Sequence, residues 1–60
     1  MNTLTATDLE MVYDVLADAL DQATPAKAEL FLTKLALLSA HALGDAQAFT
    51  ELAQCALKDL

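Results

Sequence analysis

Residues 30–43 read LFLTKLALLSAHAL, and this stretch decides the fold. Leucine and alanine are strong helix formers, and the stretch has neither glycine nor proline to interrupt a helix. With successive side chains about 100° apart, its apolar residues cover most of the helix circumference and do not form a single stripe. Because a helix that is apolar almost all round must be covered on several sides, the pattern predicts a central helix that its neighbours in a short chain cannot hide completely.

Two sides of this helix carry large apolar side chains. Leu32, Leu35 and Leu43 lie on one side with Phe31 and Leu38 beside them, and Leu30 and Leu37 lie further round, beyond Lys34 and His41. We expect the first side to pack into the core of the domain. The second is then surplus apolar surface edged by charge, which is typical of an interaction site. The predicted partner interface consists of Leu30, Phe31, Lys34, Leu37, Leu38 and His41.

The opposite interpretation is that the flanking helices cover both sides of the central helix. Three-helix domains achieve this, and Lys34 is able to extend its ammonium group to water while its stem packs on apolar surface. However, a chain of 60 residues has one small core, which rarely supplies more than about 3–5 kcal/mol, so small domains often depend on a partner. We therefore favour a partner interface.

The first helix is predicted over about residues 6–22. Thr5 with Asp8, or Thr7 with Glu10, resembles a capping box, in which side-chain oxygens accept hydrogen bonds from free backbone N–H groups. The apolar face, which we expect to be buried, consists of Leu9, Val12, Tyr13, Leu16 and Leu20, with Met11 and Val15 widening it at one edge. The opposite face carries Glu10, Asp14, Asp18 and Asp21.

Proline and glycine mark the boundaries of the second helix, predicted over about residues 25–43. Thr24 is suited to cap it, and Pro25 suits the first helical position because no backbone N–H is needed there. Gly44 ends the helix, and Asp45 caps a third helix over about residues 46–58. The apolar face of the third helix consists of Phe49, Leu52, Ala53, Ala56 and Leu60.

These elements predict an all-α fold, a small three-helix bundle, in a single domain over residues 1–60. Isoleucine and tryptophan are absent and there are only two valines, so strand-favouring residues are scarce. The single cysteine excludes an internal disulfide, and the single histidine excludes a zinc site of the usual Cys/His type. Of the usual ways to stabilise a small domain, oligomerisation or very good helix packing remains.

The charge balance excludes two classes of partner. Nine acidic residues against three lysines give a net charge of −6. Nucleic acids and anionic membrane surfaces would be repelled, because binding to them depends on neutralising phosphate groups. Residues 1–10 have neither the basic nor the apolar region of a signal peptide, and Lys34 and His41 interrupt the longest apolar run. We therefore expect a soluble cytoplasmic protein that binds neither nucleic acid nor membrane.

No residue pattern in the chain predicts catalysis, a metal site or a cofactor site. The acidic residues of the first helix are expected to form a solvated face, although they could attract the Lys27 and Lys34 line of another copy. His41 would need a nucleophile or carboxylate from elsewhere, and Cys55 is expected to be a buried, inert thiol. One glycine is too few for a phosphate-binding loop. We therefore predict no enzyme activity.

One family resemblance covers most of the chain. Residues 34–40, KLALLSA, followed by Leu43, Gly44 and Asp45, resemble the signature of a family of short bacterial helical proteins, domain of unknown function 2783. Members have Asp-x-x-x-Tyr-x-x-Leu early in the chain, and residues 10–16 would correspond to it, with Glu10 at the acidic position and one residue fewer before Tyr13. Ser39 and His41 depart from the family pattern, which has an apolar residue and an asparagine there. The resemblance implies no activity, but some relatives are encoded near flavin-dependent oxidoreductases or hydroxylases, which implies an accessory role.

Three functional hypotheses follow from these patterns. The first is a small cytoplasmic interaction module without catalysis that self-associates through the second helix. The second is a non-catalytic accessory subunit of a larger enzyme, such as a flavin-dependent oxidoreductase. The third is a protein that binds a small apolar ligand beside the second helix, although no convergent polar groups are visible there.

Overall fold

The computed structural model describes residues 4–58 and 60, and this part of the chain contains three α-helices and no strand. The helices are α1 (Ala6–Ala23), α2 (Ala28–Leu43) and α3 (Ala46–Leu57), and a short 3₁₀ turn (Pro25–Lys27) precedes α2. The predicted all-α fold class with three helices is therefore confirmed, and the helix ends agree with the prediction to within a few residues.

Local capping explains where α1 begins and where α2 meets α3. Thr5 caps α1, since its side-chain oxygen accepts a hydrogen bond from the backbone N–H of Asp8 at 3.0 Å. Asp45 caps α3 in the same way, accepting from the N–H of Ala48 at 3.0 Å. Between α2 and α3, Gly44 adopts the left-handed conformation with φ 70°, which glycine takes at little steric cost. These three predictions are confirmed, and of the two candidate caps for α1 the structure selects Thr5.

The start of the second helix differs from the prediction. Thr24 makes no side-chain capping bond, and Pro25 begins the 3₁₀ turn, so that α2 itself starts at Ala28. Thr24 has φ 68° and ψ 157°, a region that β-branched residues rarely occupy. Its backbone is held from both sides, because its N–H donates to the carbonyl oxygen of Leu20 (3.1 Å) and its own carbonyl accepts from the N–H of Lys27 (3.1 Å). The direction of α2 is thus set by backbone torsions and not by a side-chain cap.

The three helices form an open arrangement. Contacts join α1 with α2 and α2 with α3, whereas α1 and α3 do not touch within the described residues. In the same residues, no two Cα atoms separated by twelve or more positions in sequence lie within 8 Å. The radius of gyration is 12.7 Å, whereas a compact domain of this length would have about 10 Å. Neighbouring helices therefore meet at their connections and diverge beyond them.

This openness leaves a large accessible surface. The chain exposes 5590 Å², about 1,800 Å² more than the roughly 3,800 Å² expected for a compact folded chain of 6.4 kDa. No side chain among the described residues is fully buried. The predicted burial of the α1 face is therefore wrong for Leu9, Val12 and Tyr13, which are exposed, while Leu16 and Leu20 are half-buried. The physical reason is that no other part of the described chain lies over the N-terminal half of α1.

Candidate interaction surface

A wide apolar groove separates α1 from α2, and we call it the α1–α2 groove. Its volume is about 650 Å³. The α1 wall includes Met11, Val12, Val15 and Leu16, and the α2 wall includes Phe31 and Leu35. Only Asp8 and Ser39 contribute polar side chains to the lining. The groove is therefore a largely apolar surface within a single chain that has no cover in the described residues.

The other side of α2 forms a second, smaller groove, which we call the lysine groove. Its volume is about 310 Å³. It is lined by Ala23, Lys27, Leu30, Phe31, Lys34, Leu35 and Leu38. Leucine side chains thus lie between two ammonium groups, which gives this surface an apolar floor and a basic edge.

The predicted interface residues are partly brought together. Leu30, Phe31, Lys34 and Leu38 line the lysine groove. Leu37 and His41 are exposed on α2 but do not line either groove. The structure thus groups four of these six side chains and leaves two on the adjoining surface.

The side of α2 that we expected to lie in a core is not covered. Leu35 is 37% exposed and Leu32 is 43% exposed, compared with 65% for Leu37 on the side predicted to be surplus. Leu38, which was placed on the same side as Leu32 and Leu35, is 67% exposed, so the predicted difference in exposure fails for Leu38, and the predicted core packing is wrong. Because α1 diverges from α2 and α3 does not reach α1, both sides of the central helix face outward.

The α1–α2 groove was not predicted from the sequence. Met11 and Val15 were assigned to the edge of the α1 apolar face, although they and Val12 form much of its groove wall. A usable signal was present, since Met11 and Val15 extend the apolar arc of α1 beyond one stripe. Apolar side chains cover a wide arc of both α1 and α2. This pattern indicates that each of these helices needs more than one neighbouring element to cover it.

The candidate chemical groups lie on the surface. Glu10, Asp14, Asp18 and Asp21 are all exposed, which confirms the predicted solvated face. Cys55 is a free and exposed thiol, so the prediction that it is buried is wrong. Among residues 4–58 and 60, no three His, Cys, Asp or Glu side chains come together in a way that could hold a metal ion.

Comparisons with known proteins do not add a relative. No protein-family model matches the chain, and no match was found among curated proteins or solved structures. Within the described part of the chain, every helix is too short or too polar to cross a membrane.

Proposed function

We propose that this chain is a small protein-binding module that self-associates through α2 and carries out no catalysis of its own. The proposed contact surface consists of Leu30, Phe31, Lys34, Leu37, Leu38 and His41. The observation that carries the proposal is the surplus of exposed surface, together with the large apolar side chains that α2 leaves exposed.

The size of this surplus suits association between proteins. A standard interface buries about 800 Å² on each partner, and the chain exposes about 1,800 Å² more than a compact chain of its size would. Moving a Leu side chain from water into a packed interface contributes about 1.5–3 kcal/mol. Covering the α2 leucines therefore supplies stability that the open chain lacks.

The composition of the α2 surface also supports a protein partner. Interfaces commonly have an apolar centre and a polar rim. Leu30 and Leu38 supply apolar contact area, while Lys34 and His41 place polar groups beside it. A second copy is the simplest partner, because a two-fold contact places the same apolar patch opposite itself.

Charge favours an arrangement in which the acidic face of α1 points away from the contact. Each copy has a net charge of −6, so two acidic faces placed together would repel each other. The lysine groove carries Lys27 and Lys34, which reduce that repulsion at the contact itself. This distribution of charge favours a contact through α2 over a contact through the acidic face of α1.

The test is the molar mass of the purified chain and of one variant. Light scattering between about 1 and 200 µM should show a dimer whose fraction rises with concentration. Leu37→Glu should shift the protein to monomer while helical circular dichroism is largely retained, because Leu37 is 65% exposed. Leu9→Glu is the matched control, since Leu9 is 58% exposed on α1 and lines neither groove. A wild-type chain that is monomeric throughout this range would refute self-association.

The alternative is a non-catalytic accessory subunit of a larger enzyme, such as a flavin-dependent oxidoreductase. The resemblance to the short bacterial helical family supports it, and the open α1–α2 groove offers a surface for a helix of that enzyme. A monomeric chain that binds an apolar dye in this groove would favour this alternative. Both versions place the protein in the cytoplasm, since an exposed free thiol such as Cys55 fits a reducing compartment.

A further inference from the structure

Two apolar surfaces of the same chain remain apart in the structure. One is the α1–α2 groove, and the other is the apolar face of α3. Leu52 on α3 is 59% exposed, and α3 does not contact α1 within the described residues. A single chain therefore contains both an apolar groove and an apolar helix that does not occupy it.

We propose that α3 of a second copy occupies the α1–α2 groove, and that the exchange is reciprocal, so that each copy fills the groove of the other. This inference rests on the proposed self-association and assigns it a second contact in addition to the α2 surface. It also follows two-fold symmetry, because the same groove and the same helix are used twice.

The dimensions of groove and helix agree. An α-helix rises about 1.5 Å per residue, so the 12 residues of α3 span about 18 Å. Along α1, the groove extends from Asp8 to Ala19, a rise of roughly 17 Å. A helix of this length would therefore cover the full α1 wall.

Charge indicates the orientation of the inserted helix. Among residues 4–58 and 60, Asp8 is the only charged side chain that lines the groove, and it lies near the N-terminal end of α1. The nearest cation to α3 in sequence is Lys58, directly after its C-terminal end. An antiparallel orientation of α3 and α1 brings Lys58 close to Asp8 of the other copy. The same orientation places the negative end of the α3 dipole beside the positive end of α1.

The connection between α2 and α3 favours a second copy over closure within one chain. The Gly44 N–H donates to the carbonyl oxygen of Ala40 at 3.0 Å, and the Phe49 N–H donates to the carbonyl oxygen of Asp45 at 3.0 Å. These bonds hold the end of α2 and the start of α3, and the torsions of the two residues between the helices, Gly44 (φ 70°, ψ 22°) and Asp45 (φ −148°, ψ 103°), set the direction in which α3 leaves α2. That direction keeps α3 away from α1 of its own chain.

The exposed area allows this second contact. The surplus of about 1,800 Å² per chain is roughly twice the area of about 800 Å² that one standard interface needs on each partner. The α2 surface accounts for one such contact, and the groove with α3 accounts for the other. Covering only one of them would leave a chain with an unusually large apolar surface.

Disulfide trapping tests the proposal directly. One chain carries Val12→Cys and Cys55→Ser, and the other carries Ala56→Cys and Cys55→Ser. Val12 lines the groove, and Ala56 lies on the apolar face of α3. The two chains are refolded together, oxidised mildly and separated on a non-reducing gel, where a covalent heterodimer is expected. The matched control replaces Ala56→Cys by Gln54→Cys, on the opposite face of α3, and should give at least five-fold less heterodimer.

The outcomes separate this inference from the proposed function. Heterodimer formation that depends on Ala56→Cys supports helix exchange. A chain with both Val12→Cys and Ala56→Cys that forms its disulfide internally overturns exchange, because α3 would then fill its own groove. A dimer by light scattering with no trapped heterodimer also overturns exchange but leaves self-association standing. A monomer in every sample refutes both proposals. Circular dichroism of each cysteine variant checks that it is folded, and a Met11→Cys chain provides a second groove position at nearly the same level as Ala56 in this register.

Discussion

Phe31 and Leu35, one turn apart on α2, line both the α1–α2 groove and the lysine groove. The two grooves therefore share a wall made from one turn of one helix. A substitution at Phe31 or Leu35 alters both grooves at once, so we expect it to affect both proposed contacts. Substitutions that lie in one groove only should affect one contact only.

Truncation of Phe31 should weaken the whole assembly. Phe31 is half-buried and belongs to both groove walls, so we expect Phe31→Ala to lower the free energy of unfolding by about 1–3 kcal/mol, less than for a fully buried phenylalanine. Urea denaturation at fixed protein concentration measures the change. Leu38→Ala is the control, because Leu38 lines only the lysine groove and is 67% exposed. An equal loss in both variants would contradict the shared-wall argument.

The two threonines near the start of α1 should differ in how much they contribute to the stability of the protein. Thr5→Ala removes the acceptor of the Asp8 N–H bond, so it should destabilise the protein by about 1 kcal/mol. Thr7→Ala lies inside the helix and should change stability by a few tenths of a kcal/mol at most. Thermal unfolding of both variants distinguishes them, and a larger effect at Thr7 would mean that the helix starts at a different residue.

Relief of the backbone strain at Thr24 should stabilise the chain. A β-branched residue at φ 68° is strained by roughly 1–3 kcal/mol, and glycine removes this strain at some cost in chain entropy. We expect Thr24→Gly to raise the free energy of unfolding by about 1 kcal/mol in urea denaturation. Thr33→Gly, in the interior of α2, is the control and should lower it by several tenths of a kcal/mol. A loss of stability in Thr24→Gly would show that this torsion is not strained.

Exchange of charge between Asp8 and Lys58 should test the orientation of the inserted helix. Asp8→Lys or Lys58→Asp alone should weaken dimerisation several-fold, since like charges would then be adjacent. The chain that carries both changes should recover to within about two-fold of the wild type. Sedimentation equilibrium gives the dissociation constants. Glu10→Lys makes the same change in net charge outside the groove, so an effect as large as that of Asp8→Lys would indicate a general effect of net charge.

Local chemistry made much of the fold predictable. Thr5, Gly44 and Asp45 each act within four residues of themselves, so their roles could be inferred from the sequence alone. The same reasoning failed at Thr24, which makes no side-chain cap and has φ 68°, although the residue before a proline ordinarily has a negative φ.

Burial was less predictable than helix position. The apolar spacing on α1 and α2 identifies which side chains need cover, but it does not say whether the cover comes from the same chain. Val12 and Leu35 satisfy the pattern of core residues and are nevertheless exposed at 49% and 37%. The sequence-based interface included Leu30, Phe31, Lys34 and Leu38 of the lysine groove. The α1–α2 groove depends on an interhelical angle that no periodicity encodes.

The lack of any fully buried side chain in the described part of the chain has a cellular consequence. If the chain self-associates as proposed, its stability rises with the logarithm of its own concentration. Newly made copies would be vulnerable to proteases until enough of them accumulate to pair, and dilution at cell division would return some to that vulnerable state. The lifetime of the protein would then depend on whether its cellular concentration exceeds the dissociation constant of its own dimer.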